Sequence, residues 1–165
     1  MDTVSKYGAT DWNEDIKKGN GGGPKLGKDD FLKLTKARNK VRVIGKPHQY
    51  TFHTFKAEGE AGFGVKIGCS LTEDCPLCLL GKDFMAKGEE EKGKLLKQKF
   101  HWYVPVIDRE SKMSKILDIG PQIYEDIKRH NNNPEWGSPE TYDLEIVVNK
   151  SDPKNYYKTD PLPST

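Results

Sequence analysis

The sequence has few cysteines and no long apolar run, and both absences limit the class of protein. Its 165 residues contain only three Cys, which is too few, and an odd number, for a disulfide scaffold. No apolar segment approaches the roughly 18 residues that a membrane-spanning helix needs, and the N-terminal sequence MDTVSKYGATDW lacks the apolar centre of a secretory signal. We therefore expect a protein of a reducing cytoplasm that contacts no membrane.

Acidic residues are missing from one long segment of a nearly neutral chain. The formal net charge is only +2, yet the segment from Lys33 to Lys56 holds seven basic residues and no Asp or Glu. The seven are Lys33, Lys36, Arg38, Lys40, Arg42, Lys46 and Lys56. A stretch of one sign indicates a polyanionic partner, although a solvated strand face with lysines for solubility would give the same pattern.

The overall composition favours an α+β fold with many turns. Hydrophobic residues make up 34% of the chain and charged residues 32%, with 16 Gly and 10 Pro, which is more typical of β or α+β folds than of helical bundles. The length suits one domain. The Gly-rich sequence GNGGGPKLGK ends an N-terminal arm, residues 1–28, which we expect to be flexible.

Hydrophobic periodicity predicts five or six strands and one clear helix. Strand-like patterns occupy 40–44, 49–56, 98–108, 112–120, 141–150 and 155–160, and a helix-like pattern occupies 121–133. Between the cysteines and residue 99 we expect one or two short helices, the first opened by Pro76. Within 98–108, alternation places Phe100, Trp102 and Val104 toward the core. Lys99 and Tyr103 then face the other side.

All three cysteines lie in CSLTEDCPLC, residues 69–78. Cys75 and Cys78 form a C-x2-C knuckle and Cys69 can reach the same ion, so the spacing predicts one structural Zn²⁺ site. The fourth ligand should be a histidine, in the order of preference His53, His48, His101, His130. A site closed by four protein ligands has no position for a hydrolytic water. The alternative is a set of three reduced, buried cysteines without metal.

Aromatic residues are interleaved with the basic ones. Proteins that bind single strands use Lys and Arg along the phosphates and aromatic rings against the bases. The residues that we expect to contact DNA are Lys36, Arg38, Lys40, Arg42, Tyr50, Phe52, Lys56, Lys99 and Tyr103. The predicted helix carries Glu125 and Asp126, which argues against readout of duplex DNA in the major groove. For any single ring, packing in the core is an equally good interpretation.

Four stretches in this order, NKVRVIG, CPLC, FHWYVPVIDRESKMSKILDIGPQIYEDI and YDLEIVVNK, resemble the core of phage-type single-stranded-DNA-binding proteins. These are helix-destabilising replication proteins with a zinc subdomain inserted in an OB fold. The resemblance covers residues 31–162. It implies a five-stranded OB barrel within 29–162, a zinc insert at about 57–97 and a tail stub at 163–165.

The resemblance also implies a function and a set of ligands. The zinc ligands would be His53, Cys69, Cys75 and Cys78, and Arg42 with its neighbours would belong to a basic, aromatic cleft. The protein would bind and protect single-stranded DNA without sequence preference during phage replication, recombination and repair, in the cytoplasm of the infected bacterial host. Its partners would include further copies of itself on DNA. They would also include replication proteins recruited by an acidic tail that is not present in this chain, which ends in TDPLPST.

Two other functions compete with this interpretation. A zinc-ribbon-type interaction module in transcription or RNA metabolism is compatible with the acidic sequence GEEEKG, 88–93, beside the knuckle. A nuclease would need acids near the basic segment, which has none. The sequence carries no P-loop, no nucleophile elbow and no H-x-E element of a zinc deaminase. We therefore expect a protein that is not an enzyme.

Overall fold

The computed structural model describes residues 26–57, 59 and 64–163, and the chain divides into two compact units. The cysteine unit is Gln49–His101, which includes the whole predicted insert at 57–97. The core unit combines residues 26–48 with residues 102–163. Most of the predicted arm, 1–28, and the end of the predicted tail stub, 163–165, lie outside the described residues.

The core unit is built on an antiparallel sheet whose strand order is β5-β4-β1-β6-β7. The strands are β1 (Arg38–Val43), β4 (Lys99–Asp108, from Trp102 onward in this unit), β5 (Ser114–Ile119), β6 (Asp143–Val148) and β7 (Tyr157–Leu162). Alternating side chains point into one apolar layer, as the strand period requires. Val41, Leu144 and Ile146 are at most 1% exposed within that layer.

One helix, α3 (Pro121–Asn131), packs against this layer. Pro121 stands in its first turn, where its missing N–H costs nothing, and the last turn is basic, which suits the negative end of the helix dipole. Ile123 is 1% exposed, and the Tyr124 ring stacks on Trp102 at a centroid distance of 3.9 Å. The predicted helix is thus confirmed in type and position.

The fold class is α+β, mostly antiparallel sheet with short helices, as predicted. The sheet of the core unit is open, because strand pairing among its described residues ends at β5 on one side and at β7 on the other. The described part of this unit therefore does not form the closed five-stranded barrel that was expected. None of the described helices combines the length and the hydropathy of a membrane span.

The cysteine unit contains a hairpin and two short helices. The elements are β2 (His48–Phe55, from Gln49 in this unit), β3 (Val65–Gly68), α1 (Pro76–Ala86), α2 (Glu90–Leu95) and the first three residues of β4. The short helices and the opening role of Pro76 are as predicted. Within the hairpin, Val65 of β3 pairs with Phe55 of β2 across an antiparallel ladder.

Burial differs sharply between the two units. Among the described residues of the cysteine unit, the only apolar side chains that are buried are Phe52, Cys75 and Leu96. Phe100, which alternation placed in the core, is 42% exposed, so that prediction is wrong. Alternation predicts which side chains share a face, but it does not predict whether other side chains cover that face.

Candidate functional site

Four potential metal ligands converge in the cysteine unit. His53, Cys69, Cys75 and Cys78 present Nε2 and three Sγ atoms that lie within 4.8 Å of one another. The Nε2 atom of His53 is 3.5 Å from the sulfur of Cys75 and 3.6 Å from that of Cys78. The sulfur of Cys69 is 3.7 Å from that of Cys75 and 3.8 Å from that of Cys78.

Local backbone structure places each of these ligands. His53 lies within β2, and Cys69 follows β3, where its N–H donates to the Thr51 carbonyl at 3.0 Å. Cys75 is the cap residue of α1 and Cys78 lies in its first turn. A hairpin edge and a helix start therefore supply two ligands each. This arrangement is the knuckle geometry that a C-x2-C sequence allows.

A hydrogen bond on the side of the ring away from the cysteines orients the His53 side chain. The ring is fully buried, and its Nδ1–H donates to the carbonyl oxygen of Leu96 at 2.6 Å. This bond places the proton on Nδ1 and leaves the lone pair of Nε2 directed at the three sulfurs. Metal-bound histidines are almost always held by such a partner.

The distances can be compared with those of a tetrahedral site. Zn–S bonds of about 2.3 Å and Zn–N bonds of about 2.0–2.1 Å would separate ligand atoms by about 3.8 Å for two sulfurs and about 3.6 Å for sulfur and nitrogen. The separations from Cys69 are 3.7 and 3.8 Å, and those from His53 are 3.5 and 3.6 Å. The residues therefore fit a tetrahedral ion, and the cluster could hold a metal such as Zn²⁺.

The electrostatics of the thiols also suit a cation. The backbone amide of Cys78, with help from Ser70, lowers the pKa of Cys75 to about 5. Burial, together with the sulfurs of Cys75 and Cys69, raises the pKa of Cys78 to about 11. One thiolate is thus stabilised by the turn itself, whereas a second in the same pocket is opposed by burial and by like charge. A bound divalent cation removes that opposition.

Gln98 is a member of the site that the sequence does not reveal. Its Nε2 donates to the sulfur of Cys69 at 3.1 Å and to that of Cys78 at 3.4 Å. The N–H of Leu71 adds a third donor, 3.4 Å from the Cys69 sulfur, and Leu71 adopts a left-handed φ of 58°. Donors of this kind stabilise thiolates and orient them. Gln98 has no spacing relation to the cysteines, so only the fold identifies it.

The other three histidines lie elsewhere. His130 has its Nε2 3.0 Å from the carbonyl oxygen of Thr159 in the core unit. His101 packs against the rings of Tyr50 and Phe52. His48 is exposed and is outside the ligand cluster. His53, the first choice from the sequence, is therefore the histidine that joins the cysteines.

A cluster of three rings capped by a lysine forms a second feature of the cysteine unit. Tyr50 stacks on Phe52 at 5.5 Å, and His101 meets the Phe52 ring edge-on at 5.0 Å. The Nζ of Lys66 lies 4.7 Å from the centre of the Phe52 ring and donates to the Tyr50 hydroxyl at 3.1 Å. Phe52 is only 4% exposed, so it supports Tyr50 and His101, which are half-buried, rather than presenting a free face.

Acids from other parts of the chain neutralise the basic segment in part. In the core unit Arg42 pairs with Asp143 at 2.6 Å, Arg38 pairs with Glu145 at 2.9 Å, and Lys36 pairs with Glu110. The acids come from β6 and from the turn after β4. The expectation of a charge stripe without nearby acids is therefore wrong for these three residues. These acids are distant in the sequence and reach the basic residues only through the fold, so the local sequence does not reveal them.

The remaining predicted contacts occupy different settings. Lys40 is exposed and Lys56 is half-buried, and neither has a carboxylate within 4 Å among the described residues. Lys99 is half-buried, and its Nζ donates to the Thr54 hydroxyl at 2.8 Å. Tyr103 is half-buried in the core unit beside Phe31, with ring centres 5.9 Å apart. Of these four, the two lysines that lack an acid are best placed to meet a phosphate.

No family model, curated protein or solved structure matches this chain. The described residues form a four-ligand centre of metal-binding geometry and a ring cluster capped by a cation.

Proposed function

We propose that this protein binds single-stranded DNA without sequence preference and so protects single strands during phage DNA replication, recombination and repair. The observation that carries the proposal is the cluster of Tyr50, Phe52 and His101 with Lys66 across it. Unpaired bases stack on aromatic rings whatever their identity, and an adjacent ammonium suits the phosphate between two bases. A half-buried ring that is supported from beneath keeps its orientation when a base arrives.

The helix of the core unit supports a single strand over a duplex as the ligand. Asp126 of α3 accepts hydrogen bonds from the Thr159 N–H and from Arg129. A helix that reads the major groove presents donors to base edges and phosphates. Asp126 instead ties α3 to β7 through the Thr159 N–H, which supports a packing role for this helix.

Zn²⁺ is the ion that the ligand set favours, in a structural role. Three thiolates and one imidazole are a standard closed zinc set, and four protein ligands leave no position for a reacting water. Bound there, the ion would link the β2–β3 hairpin to the start of α1. The cysteine unit buries few apolar side chains among its described residues, so this link would supply stability that packing does not.

We further propose that the antiparallel sheet within residues 29–162 is of OB type. Five strands in the core unit and a separate unit with four potential metal ligands support this proposal. OB folds bind oligonucleotides across the face of their strands.

A fluorescence titration tests the proposal directly. Tryptophan emission of the full chain would be followed as a dT oligonucleotide is added, beside a duplex of equal length, at two salt concentrations. We expect a response to the single strand alone, with a log–log salt slope of about −0.7 for each phosphate neutralised. Equal affinity for the duplex, or no response to dT, would refute the proposal and favour a zinc-ribbon-type interaction module.

A further inference from the structure

An apolar groove lies in the cysteine unit between α1 and α2. Its volume is about 610 Å³, which lies within the roughly 300–1,000 Å³ typical of ligand pockets. One end of this volume adjoins the four-ligand centre, because the lining also includes His53, Cys78 and Gln98. Leu96 and two glycines, Gly81 and Gly93, are buried along it, and Met85 and Phe100 line its sides. Met85 is 47% exposed and Phe100 is 42% exposed, so the groove opens to solvent with its largest apolar groups uncovered.

The two glycines explain why the groove exists. A methyl group on Gly93 would lie 2.5 Å from Cγ and Sδ of Met85 and 3.1 Å from the Gly81 carbonyl oxygen. The helices therefore approach closely at this point, and Met85 rests against bare backbone. Methionine is flexible and polarisable, and it is frequent at binding surfaces that adapt to their partners. The site is thus pre-formed at its base and adaptable at its side.

The charged side chains that line the groove in the described part of the chain are all basic, namely Lys82, Lys94 and Lys97. Acidic residues of α2 lie beside one of them, since Lys94 pairs with Glu90 at 3.1 Å and lies 3.9 Å from Glu91. Neither Lys82 nor Lys97 has a carboxylate within 4 Å among the described residues. An apolar groove with this rim complements an acidic ligand that also carries an apolar anchor.

We propose that the groove is a docking site for an acidic segment of a partner protein. An aliphatic or aromatic side chain of the segment would enter between Met85 and Phe100, and its carboxylates would pair with Lys82 and Lys97. Amphipathic segments bind grooves between helices in this way. A nucleic acid fits less well, because the groove is concave and its surface mainly apolar, and Phe100 is the one Phe, Tyr or Trp among its described lining residues. The proposal is independent of DNA binding at Tyr50.

The test uses the full, zinc-loaded chain labelled at its methionine methyl groups. The probe is a synthetic helical peptide of about three turns, rich in Glu with two Leu on one face, beside a peptide in which every Glu is replaced by Lys. The chain has three Met, and Met113, 58% exposed in the core unit, is an internal control. We expect the acidic peptide to shift the Met85 signal and to leave that of Met113 unchanged.

Charge reversal provides the second measurement. The double variant K82E/K97E should lower the affinity for the acidic peptide by at least about tenfold, because the charges at the rim determine the electrostatic complementarity of such a surface. Lys150→Glu, an exposed lysine of the core unit, should leave the affinity unchanged. Equal binding of both peptides, a matching shift at Met113 or full affinity in K82E/K97E would overturn the proposal. Displacement of the peptide by a dT oligonucleotide, with a Met85 shift, would instead assign the groove to nucleic acid.

Discussion

The Nδ1 atom of His53 lies 2.6 Å from the carbonyl oxygen of Leu96, on the far side of the ring from the three cysteine sulfurs. One hydrogen bond thus fixes both the tautomer and the direction of the fourth ligand. Because Leu96 follows α2 directly, this bond connects the four-ligand cluster to the second of the two short helices.

Replacing His53 should change the metal content in a manner that depends on the new side chain. His53→Ala should abolish tight binding of Zn²⁺, and His53→Cys should retain it as a four-thiolate site. His48→Ala is the matched control, because His48 is exposed and outside the cluster. Bound zinc per chain, measured on purified protein with a chromophoric chelator, decides the question. Loss of zinc in His48→Ala with retention in His53→Ala would contradict the assignment.

Removal of the metal should affect the two units unequally. The cysteine unit has a sparse apolar interior among its described residues, whereas the core unit has ten clustered buried side chains. A strong chelator should therefore speed amide hydrogen exchange in α1 (Pro76–Ala86) by orders of magnitude and leave β6 (Asp143–Val148) protected. Mass spectrometry of peptic fragments gives both rates in one experiment. Unchanged exchange in α1 would favour three reduced cysteines without metal.

Gln98 should tune the metal centre without being a ligand. Gln98→Ala removes donors to the sulfurs of Cys69 and Cys78 and should lower the affinity for Zn²⁺ by about tenfold, the lower end of the usual effect of such partners. The site should still bind one ion per chain. Gln49→Ala, at an exposed position of the same unit, is the control. Competition with a chelator of known affinity measures the change, and equal affinities in the two variants would show that the bonds from Gln98 are dispensable.

Substitutions of Tyr50 should separate its ring from its hydroxyl. Tyr50→Ala should weaken binding of a dT oligonucleotide by about 1–3 kcal/mol, the usual contribution of one stacked base. Tyr50→Phe keeps the ring and loses only the hydroxyl that accepts from Lys66, so it should retain most of the affinity. Fluorescence anisotropy of a labelled oligonucleotide measures both. A similar loss in the two variants would rule out stacking as the role of this residue.

Arg42 and Lys40 are neighbours on β1 and should nevertheless behave differently. Arg42 forms a half-buried ion pair with Asp143 at 2.6 Å, so Arg42→Ala should cost about 1 kcal/mol in the free energy of unfolding, with Arg109 still paired to Asp143. Lys40 has no such partner among the described residues, so Lys40→Ala should leave stability unchanged and reduce the salt slope of DNA binding by about 0.7. Urea unfolding and a salt series measure the two effects, and an exchange of the two results would reverse the assignment of roles.

The sequence was most informative where a pattern depends on local geometry. The C-x2-C spacing of Cys75 and Cys78 predicts a site for one ion. Pro121 at the start and the basic residues at the end predict the helix α3. Gln98 could not be found in this way, because its contacts with the cysteines depend on how α2 leads into β4. Lys66 and His101 are likewise far apart in sequence and meet only through the fold.

Charge and burial were predicted less well than strands and helices. The acid-free segment around Arg38 and Arg42 looked unpaired because its partners, Glu145 and Asp143, are about a hundred residues away in the chain. Phe100 follows the alternation of its strand, yet its side chain is 42% exposed. Both errors have one cause, which is that a one-dimensional pattern gives the face of a strand and not what lies against that face.

The spacing of the four ligands also orders their capture of an ion. The outer two cysteines, Cys69 and Cys78, are nine residues apart, whereas His53 precedes Cys78 by 25. Closing the longer loop costs about 1 kcal/mol more in chain entropy than closing the shorter one. For a bound ion such as Zn²⁺, chain entropy therefore favours binding by the cysteines before His53. His53 would leave the ribosome before the cysteines, and this part of a newly made chain would complete its fold only once the ion is supplied.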